Sequence, residues 1–472
     1  MAGPPRPAIL PRPDGSPVPI AVDARGAMLR VLVYRTWPEP ALAAELAVPP
    51  PDRPAPRERW TRPVRVTWDG REGGAPARAG TYVVVAEVRD DAGNIGRSAP
   101  VGRDDLPEAG YGQALPGHAG VTVRYAAVEP PAEAVVAGRS AAFGVDTRQR
   151  PYRWSLRRLG HGRPERAGRM PPRRRGRVVP VGGTRRVAIP ARERSGVLLF
   201  GVASGLGSAR VPVAVQGAGH HPVLVVLPVM TWQGRNHVDD DGDGAPNLLE
   251  HGDGARAQRV YAGLPATFAR VTAPLLAWLD RTGRRYDLTT DVALARGEGR
   301  GLEGHRGVVL AGDTRWLPAA VQRALRRYVQ AGGRVATVGT DNLRRLVRLT
   351  PGGVLVHPTP PATFDALGLR PGALLHGDLT LTNAKDDAGL FTGTSGQFAD
   401  LTVAEPVAGV RAGRVESSAV TADGRTVIAA VRSGDGLVIH LGLPELPSRL
   451  GAAANDPQAV ALLQSTWTLL SR

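Results

Sequence analysis

The sequence predicts a multidomain protein in which β-sandwich modules precede an α/β domain with a doubly wound parallel sheet. Up to about residue 217, short apolar runs are separated by Pro- and Gly-rich turns, which is typical of β-sandwiches. From Val223 onward, continuous apolar runs alternate with helical patterns, as in parallel sheets with crossover helices. A length of 472 residues suits about three domains.

Composition shifts give the expected boundaries of these units. They are a Pro-rich N-terminal segment at 1–18, a first β-sandwich at 19–116, a second β-sandwich-like module at 117–217, and the α/β domain at 218–472.

The segment Val66–Gly96 carries the most specific pattern of the first module. Trp68 closes one strand in a Trp-Asp-Gly sequence, Tyr82 follows the Gly-Thr pair that opens the next strand, and a Gly-Asn turn comes after it. These features resemble the Ig-like module at the ends of secreted bacterial proteins and in flagellar hook-capping proteins. The resemblance implies a spacer or adhesion module with Trp68 and Tyr82 in its core.

The second half contains alternating strand and helix patterns. Proline opens a helix at position 318 and a glycine pair ends it at 332–333. Predicted strands lie at Val223–Val229, Gly307–Gly312, Val335–Gly339, Thr426–Val431 and Leu437–Leu441, and predicted helices at Pro265–Leu279, Pro318–Ala331 and Pro457–Leu470.

The net charge of +17 is not a nucleic-acid signature in this chain. Lys385 is the only lysine among 60 basic residues, as a GC-rich coding bias produces. Phosphate-binding surfaces usually mix both cations with stacking aromatic residues, so nucleic-acid binding is disfavoured. The densest basic run, Arg163–Arg177, is interleaved with proline and predicts a solvated loop; contact with an acidic polymer or lipid headgroups is the alternative.

The chain contains no cysteine, which excludes disulfides, zinc–thiolate sites and a thiol nucleophile. No apolar run is long enough to span a membrane. Residues Met1–Pro13 lack the apolar core of a signal peptide. Either the protein stays inside the cell, or this chain starts after the export signal. The predicted modules favour the second alternative, an extracellular or cell-surface protein whose export signal is absent from this chain.

A calcium-binding loop is predicted at 239–250, where the sequence fits D-x-D-x-D-G-x5-E. Three aspartates at alternate positions supply hard oxygen donors, and the glutamate closes the shell in bidentate fashion. The predicted ligands are Asp239, Asp241, Asp243, the carbonyl of Ala245, Asn247 and Glu250. Since the chain fills every position, we expect a structural role; a solvated acidic turn is the alternative.

The segment 222–345 resembles the C-terminal region of the large subunit of N,N-dimethylformamidase, whose fold is similar to class I glutamine amidotransferases. The stretches that carry the resemblance are Thr231–Gln233, Tyr286–Asp291, Val309–Asp313, Tyr328–Gly333 and Gly339–Asn342. The family implies an iron held by two tyrosines and a glutamate. This chain has Trp232 and the pair Arg315-Trp316 at the corresponding places, so no iron is expected. Without cysteine, thioester chemistry is excluded.

The carboxyl ends of the parallel strands are the expected ligand site. We predict ligand-binding roles for Thr231, Trp232, Gln233, Asn236, Arg315 and Trp316, and Asp313 and Asp341 are the candidate catalytic residues. Tryptophan rings beside polar groups suit a sugar or peptide; the alternative is that both rings cap the sheet. His440 is interpreted as a strand-end histidine, because no cysteine is present for it to activate.

These observations favour a secreted or surface protein whose amidotransferase-like domain lacks the catalytic groups of its relatives and binds a polar ligand, either carbohydrate or peptide. Two alternatives stay open. One is a hydrolase of amide or glycosidic bonds that uses Asp313 and Asp341 in acid–base catalysis without a cysteine nucleophile. The other is a purely architectural surface protein.

Overall fold

A computed structural model of the chain provides the structure. It describes residues 18–22, 28–37, 41–48, 64–78, 80–89, 92–97, 120–123, 125–147, 151–160, 166–170, 183–205, 207–236, 248–251, 254–258, 264–265, 267–451 and 456–472.

The N-terminal part is a small all-β unit. Its strands are β1 (Val18–Val22), β2 (Met28–Trp37), β3 (Ala41–Leu46), β4 (Val64–Trp68), β5 (Arg71–Glu72), β6 (Ala75–Pro76), β7 (Gly80–Arg89), β8 (Ile95–Arg97) and β9 (Gly120–Val123). One sheet has the order β3-β2-β7-β8, with β9 also paired to β7, and β1 pairs with β4. Trp68 and Tyr82 are fully buried with ring centroids 5.1 Å apart, so their predicted core positions are confirmed.

A second all-β unit follows. Its strands are β10 (Ala127–Glu129), β11 (Val135–Val136), β12 (Ser140–Asp146), β13 (Tyr152–Arg158), β14 (Arg166–Met170), β15 (Gly183–Ala188), β16 (Gly196–Ser204) and β17 (Gly207–Gln216). They form sheets of order β10-β12-β15 and β11-β17-β16-β13-β14. Phe143 stacks on Phe200 in the core between them, with ring centroids 3.9 Å apart.

The prediction of a loop throughout the basic run is wrong for residues 166–170. These residues form β14, which pairs antiparallel with β13. Residues 161–165 and 171–182 lie outside the described part of the chain. An arginine-rich segment can form a strand at a sheet edge, because edge side chains keep their charges in water.

A buried ion-pair network joins the second β unit to the rest of the chain. Arg158, at the end of β13, is almost fully buried and lies 2.6 Å from Glu193. Its Nε donates to Asp280 Oδ2 at 3.0 Å, and Tyr286 donates its hydroxyl hydrogen to Asp280 Oδ1 at 3.1 Å. Ala132, Val197 and Ala214 of the second unit also belong to the large apolar core of the C-terminal part.

The C-terminal part contains one large sheet with shorter strands and helices around it. Its elements are β18 (Val223–Leu227), α1 (Val229–Gly234), β19 (Ala255–Arg256), a π-helix (Phe268–Thr272), α2 (Ala273–Arg281), β20 (Asp287–Thr290), α3 (Asp291–Arg296), β21 (Gly307–Ala311), β22 (Trp316–Leu317), α4 (Ala319–Gln330), β23 (Arg334–Val338), β24 (Arg345–Leu346), β25 (Arg348–Leu349), β26 (Val354–Val356), β27 (Leu369–Pro371), β28 (Leu375–Asp386), β29 (Gln397–Ala404), β30 (Val407–Val410), β31 (Arg414–Thr421), β32 (Thr426–Ser433), β33 (Gly436–Leu441) and α5 (Pro457–Ser471), with 3-10 turns at Leu249–His251 and Leu446–Leu450. The large sheet has nine strands in the order β20-β18-β21-β23-β33-β32-β31-β28-β29.

The predicted doubly wound parallel sheet, and with it the predicted α/β class, is wrong. The described part of the chain is mostly β, with 33 strands against five α-helices. The nine-stranded sheet is mixed: β18, β20, β21, β23 and β33 pair in parallel, but β32, β31, β28 and β29 extend it antiparallel. The strand β32 was predicted at Thr426–Val431, but β31, β28 and β29 were not. The last two are largely exposed and lack continuous apolar runs.

No helix in the described ranges is both long enough and apolar enough to cross a bilayer.

We expect Gly307→Ala to destabilise the mixed sheet. A Cβ at this first residue of β21 would lie 2.7 Å from the Leu470 Cβ of α5 and still closer to the Leu470 carbonyl oxygen. Overpacking of this kind costs about 1–3 kcal/mol. Differential scanning calorimetry should show a lower melting temperature. Gly301→Ala is the matched control, because nothing lies within 4 Å of the added Cβ; equal melting temperatures for the two variants would contradict the packing assignment.

Candidate functional site

Two glycines bring the ends of β21 and β23 close together. Gly312 and Gly339 follow these strands with φ of 134° and 103°, a backbone region that side chains disfavour. A Cβ on Gly339 would lie 2.9 Å from the Asp313 backbone nitrogen and would also collide with the Asp313 carboxylate. Asp313 Oδ1 instead accepts a hydrogen bond from the Thr340 backbone at 2.8 Å. The predicted residues Asp313 and Asp341 therefore lie on two strand ends that are hydrogen-bonded to each other.

Asp341 is surrounded by guanidinium groups. Its carboxylate lies 3.2 Å from Arg345, 3.4 Å from Arg344 and 3.5 Å from Arg315. The residue has a φ of 52°, a left-handed conformation that aspartate tolerates better than most residues. Its backbone N–H donates to Glu405 Oε1 at 2.8 Å. Three arginines thus cover one of the two candidate catalytic carboxylates.

Glu405 is a site residue that sequence reasoning missed. It lies just after β29, and its side chain is 4% exposed. Burial raises its pKa to about 7, helped by the neighbouring charges of Asp341 and Asp313. Its Oε2 has no hydrogen-bond partner among the described residues. Glu405 is therefore a carboxyl group that can hold a proton near neutral pH.

His440 lies beside Glu405 at the end of β33. Its Nε2 is 3.3 Å from the Glu405 carbonyl oxygen and 3.9 Å from Glu405 Oε2, and its Nδ1 is 3.3 Å from Thr337 Oγ1. Burial lowers the pKa of His440 to about 4. The imidazole is neutral at physiological pH, as suits a packed strand-end histidine.

Helix α1 places the first group of predicted residues. Thr231 Oγ1 accepts from the Arg315 backbone N–H at 3.0 Å, which ties α1 to the end of β21. Gln233 is 1% exposed, and Asn236 comes just after the helix. Both oxygens of Asp291 accept from the Met230 backbone N–H at 3.1 Å, and burial raises the pKa of Asp291 to about 8. Asp291 positions α1 and was also missed from sequence.

Both predicted tryptophans point into the protein. Trp316 is 0% exposed and pairs with Arg345 in the short β22–β24 ladder. Trp232 is 5% exposed, and its ring meets the Phe268 ring edge-on at 5.5 Å. In this structure neither ring presents an open face to solvent.

Buried polar atoms without hydrogen-bond partners concentrate at these strand ends. Among the described residues twelve such side-chain atoms occur, and half belong to residues of this region: Trp232 Nε1, Gln233 Oε1, Arg315 Nε, Trp316 Nε1, Asn342 Nδ2 and Glu405 Oε2. A buried polar atom without a partner costs roughly 1–3 kcal/mol. Such a concentration marks a place where a water, an ion, a ligand or another part of the chain completes the bonding.

Most of the predicted calcium ligands lie outside the described residues. These are Asp239, Asp241, Asp243, Ala245 and Asn247. Glu250 is described, and its Oε1 accepts from Arg235 at 2.6 Å and also from Arg315. Burial acts to raise the pKa of Glu250, but the two arginines outweigh it and the pKa lies below its usual value. A calcium ion at Glu250 would compete with two guanidinium groups, so the fit is partial.

Residues 183–359 match the family model "N,N-dimethylformamidase beta subunit-like, C-terminal". The chain contains a dimethylformamidase-like domain. This match confirms that part of the resemblance, while the amidotransferase-like fold and the Ig-like module are not confirmed.

The other comparisons add little about this dimethylformamidase-like domain. No curated protein matches the sequence. An exo-beta-1,4-mannosidase from Opitutaceae bacterium strain TAV5 is 10% identical with a TM-score of 0.32, covering 54% of this chain and 36% of that one. A beta-galactosidase from Rahnella sp. R3 is 12% identical with a TM-score of 0.31, covering 53% and 32%. The chain thus spans about a third of each glycosidase, and such TM-scores carry no argument about fold or function.

Glu405→Gln should change how stability depends on pH. Because the pKa of Glu405 is about 7 in the folded chain and its usual value is 4.5, the folded state retains a proton that the unfolded chain releases between these values. Wild-type stability therefore falls as pH rises from about 4.5 to about 7, by about 3 kcal/mol at most from this group. We expect the variant to lack that fall in calorimetric unfolding from pH 4 to 8. The exposed Glu298→Gln is the control, and parallel curves for all three proteins would refute the assignment.

Calcium should stabilise the chain if the 239–250 loop binds it as predicted. For a Kd on the order of 10⁻⁴–10⁻³ M, about 10 mM calcium adds about 1–3 kcal/mol to the free energy of unfolding. Thermal unfolding with calcium, with magnesium and with neither provides the measurement. Asp241→Asn should abolish the calcium effect, and an unchanged effect in that variant would remove the loop as its cause.

Proposed function

We propose that the dimethylformamidase-like domain binds a polar, amide-bearing ligand such as a peptide at the strand-end site, as part of a surface protein. The observation that carries the proposal is the concentration of unpartnered buried polar atoms at this site. Four of the six are N–H donors, on Trp232, Trp316, Asn342 and Arg315, and two are acceptors, on Gln233 and Glu405. A ligand with both carbonyl and N–H groups complements that set.

The charges at the site support selective recognition of such a ligand. Arg315, Arg344 and Arg345 have side chains 17%, 21% and 22% exposed, and they cover Asp341 at 11%. Glu405 lies beneath, bonded to the Asp341 backbone. A ligand that entered between the arginines would contact their guanidinium donors first and then the carboxyl groups of Asp341 and Glu405. Arginine is well suited to planar carboxylate and amide oxygens.

The placement of the tryptophans favours a peptide over a carbohydrate. Sugar recognition relies on exposed aromatic faces that cover the apolar side of the ring. Trp316 is fully buried and Trp232 is 5% exposed, so only their indole N–H groups are without partners.

A second candidate function is hydrolysis of an amide or glycosidic bond. The specific observation in its favour is the pKa of Glu405, raised to about 7 by burial and by Asp341 and Asp313. A carboxyl group that titrates near neutrality beside another carboxylate can act as a general acid or base. The name of the matching family describes an amidase, which also supports this candidate.

Ligand binding is tested with the full chain immobilised on a biosensor. Panels of short peptides and of glycans should give peptide binding that Glu405→Gln weakens by about tenfold or more, because the buried carboxyl group that would bond the ligand is lost. Asp378→Asn, at an exposed position of β28, should bind as the wild type does. Binding of glycans alone would refute the ligand class, and absence of all binding would favour the architectural alternative.

Turnover assays on the same proteins separate the two candidates. Amides, including N,N-dimethylformamide and short peptides, and aryl glycosides would be incubated with the full chain. Product formation that Asp313→Asn or Asp341→Asn abolishes would replace the binding proposal with the hydrolase. Peptide binding without product formation supports the proposal as stated.

A further inference from the structure

Two histidines and an aspartate gather at the edge of the sheet opposite the strand-end site. Asp287 is the first residue of β20, His220 lies just before β18, and His305 lies just before β21. These three strands are parallel neighbours in the order β20-β18-β21. Their amino ends therefore lie side by side, which explains how residues far apart in sequence meet.

The three side chains converge on one carboxylate oxygen. Asp287 Oδ2 lies 3.2 Å from His220 Nδ1 and 3.1 Å from His305 Nε2. One ligand atom from each residue lies within 4.8 Å of the other two. In tetrahedral zinc sites, bond lengths near 2.0–2.1 Å place neighbouring ligand atoms about 3.3 Å apart. The two spacings to Asp287 Oδ2 are close to this value, as in a site that holds a single small divalent cation.

The hydrogen bond of His220 Nε2 to the backbone indicates whether Nδ1 can bind a metal. His220 Nε2 lies 3.1 Å from the Gly304 carbonyl oxygen, which can only accept, so Nε2 carries the proton. In the neutral ring, Nδ1 then directs a lone pair at the Asp287 carboxylate. Two acceptors 3.2 Å apart repel each other unless a cation or a second imidazole proton lies between them. Metal-binding histidines usually donate their second N–H to a carbonyl in this way.

The other two members are buried and already oriented. Asp287 is 0% exposed, and its Oδ1 accepts from Gln216 Nε2 at 3.3 Å, which leaves Oδ2 for the histidines. The side chain of His305 is 1% exposed, and its Nδ1 has no partner among the described residues. Of the two nitrogens of this buried ring, Nε2 is the one that contacts the cluster. His220 is half exposed and leaves one side of the cluster open to solvent.

We propose that His220, Asp287 and His305 form a binding site for a divalent cation of the zinc class. Two imidazoles and one carboxylate are a borderline donor set that suits zinc and its transition-metal neighbours rather than calcium or magnesium. Three protein ligands leave a fourth position for water on the side of His220. The site shares no residue with the predicted calcium loop or with the strand-end site.

Arg300 is the competitor for this cation. Its Nε lies 3.5 Å from Asp287 Oδ2, and its Nη2 donates to the Gly219 carbonyl at 2.9 Å. The guanidinium supplies the positive charge that a metal would otherwise supply to the buried carboxylate. Replacing Arg300 therefore removes a competing charge, and the metal should bind more tightly to the Arg300→Gln variant.

Zinc titration of the untagged full chain tests the site. The protein is stripped with a chelator and kept in excess calcium, so that the oxygen-rich loop does not take up zinc. Isothermal titration with zinc should show binding that His220→Ala weakens by at least about tenfold. His221→Ala is the matched control, because this neighbouring histidine is outside the cluster, and it should bind zinc as the wild type does.

Cobalt(II) binding provides a second measurement on the same site. Cobalt(II) should produce the visible absorption of a low-coordinate nitrogen–oxygen site in the wild type and in His221→Ala, but not in His220→Ala. Equal zinc affinities for the wild type and His220→Ala would overturn the proposal. So would the absence of zinc binding in Arg300→Gln, the variant expected to bind best.

Discussion

The polar regions of the C-terminal part depend on one constraint, which is that carboxylates are buried at both ends of the parallel strands. A carboxylate removed from water is costly unless N–H donors or cations surround it. At the carboxyl ends, Asp341 is neutralised by arginines, and Glu405 takes one backbone N–H and holds its proton up to about pH 7. At the amino ends, Asp287 draws in two histidines and Arg300. Each cluster therefore follows from where a strand begins or ends.

The strands that could be predicted are those with a local pattern strong enough to identify them. Val223–Leu227, Gly307–Ala311 and Gly436–Leu441 are buried at every position, and they appear in the sequence as continuous apolar runs. The predicted class was wrong because the antiparallel part of the sheet contains strands with exposed faces, such as Leu375–Asp386, whose pairing with its neighbour has register shifts. Their partners are determined by tertiary pairing, which no short window of sequence contains.

The site was predictable to the extent that it follows strand ends. Asp313 and Asp341 come just after glycine-terminated apolar runs, and the Asp313 side chain accepts a hydrogen bond from the backbone N–H of Thr340, the neighbour of Asp341. Glu405 has no such marker, because it lies between two antiparallel strands that were not anticipated. The burial of Trp316 could not be inferred either, since an aromatic residue after a strand suits a ligand wall and a core equally well.

Arg158 has a consequence for how the chain can be divided. Its guanidinium belongs to the second β unit, whereas Asp280 and Tyr286 belong to the segment that leads into the mixed sheet. Cutting the chain between them would separate Arg158, which keeps Glu193, from Asp280, which would lose its guanidinium partner, and it would open the core that Ala132 and Val197 share with that sheet. A fragment designed from the sequence boundary near residue 217 would therefore lose the ion pair between Arg158 and Asp280 and expose apolar side chains that the two parts share.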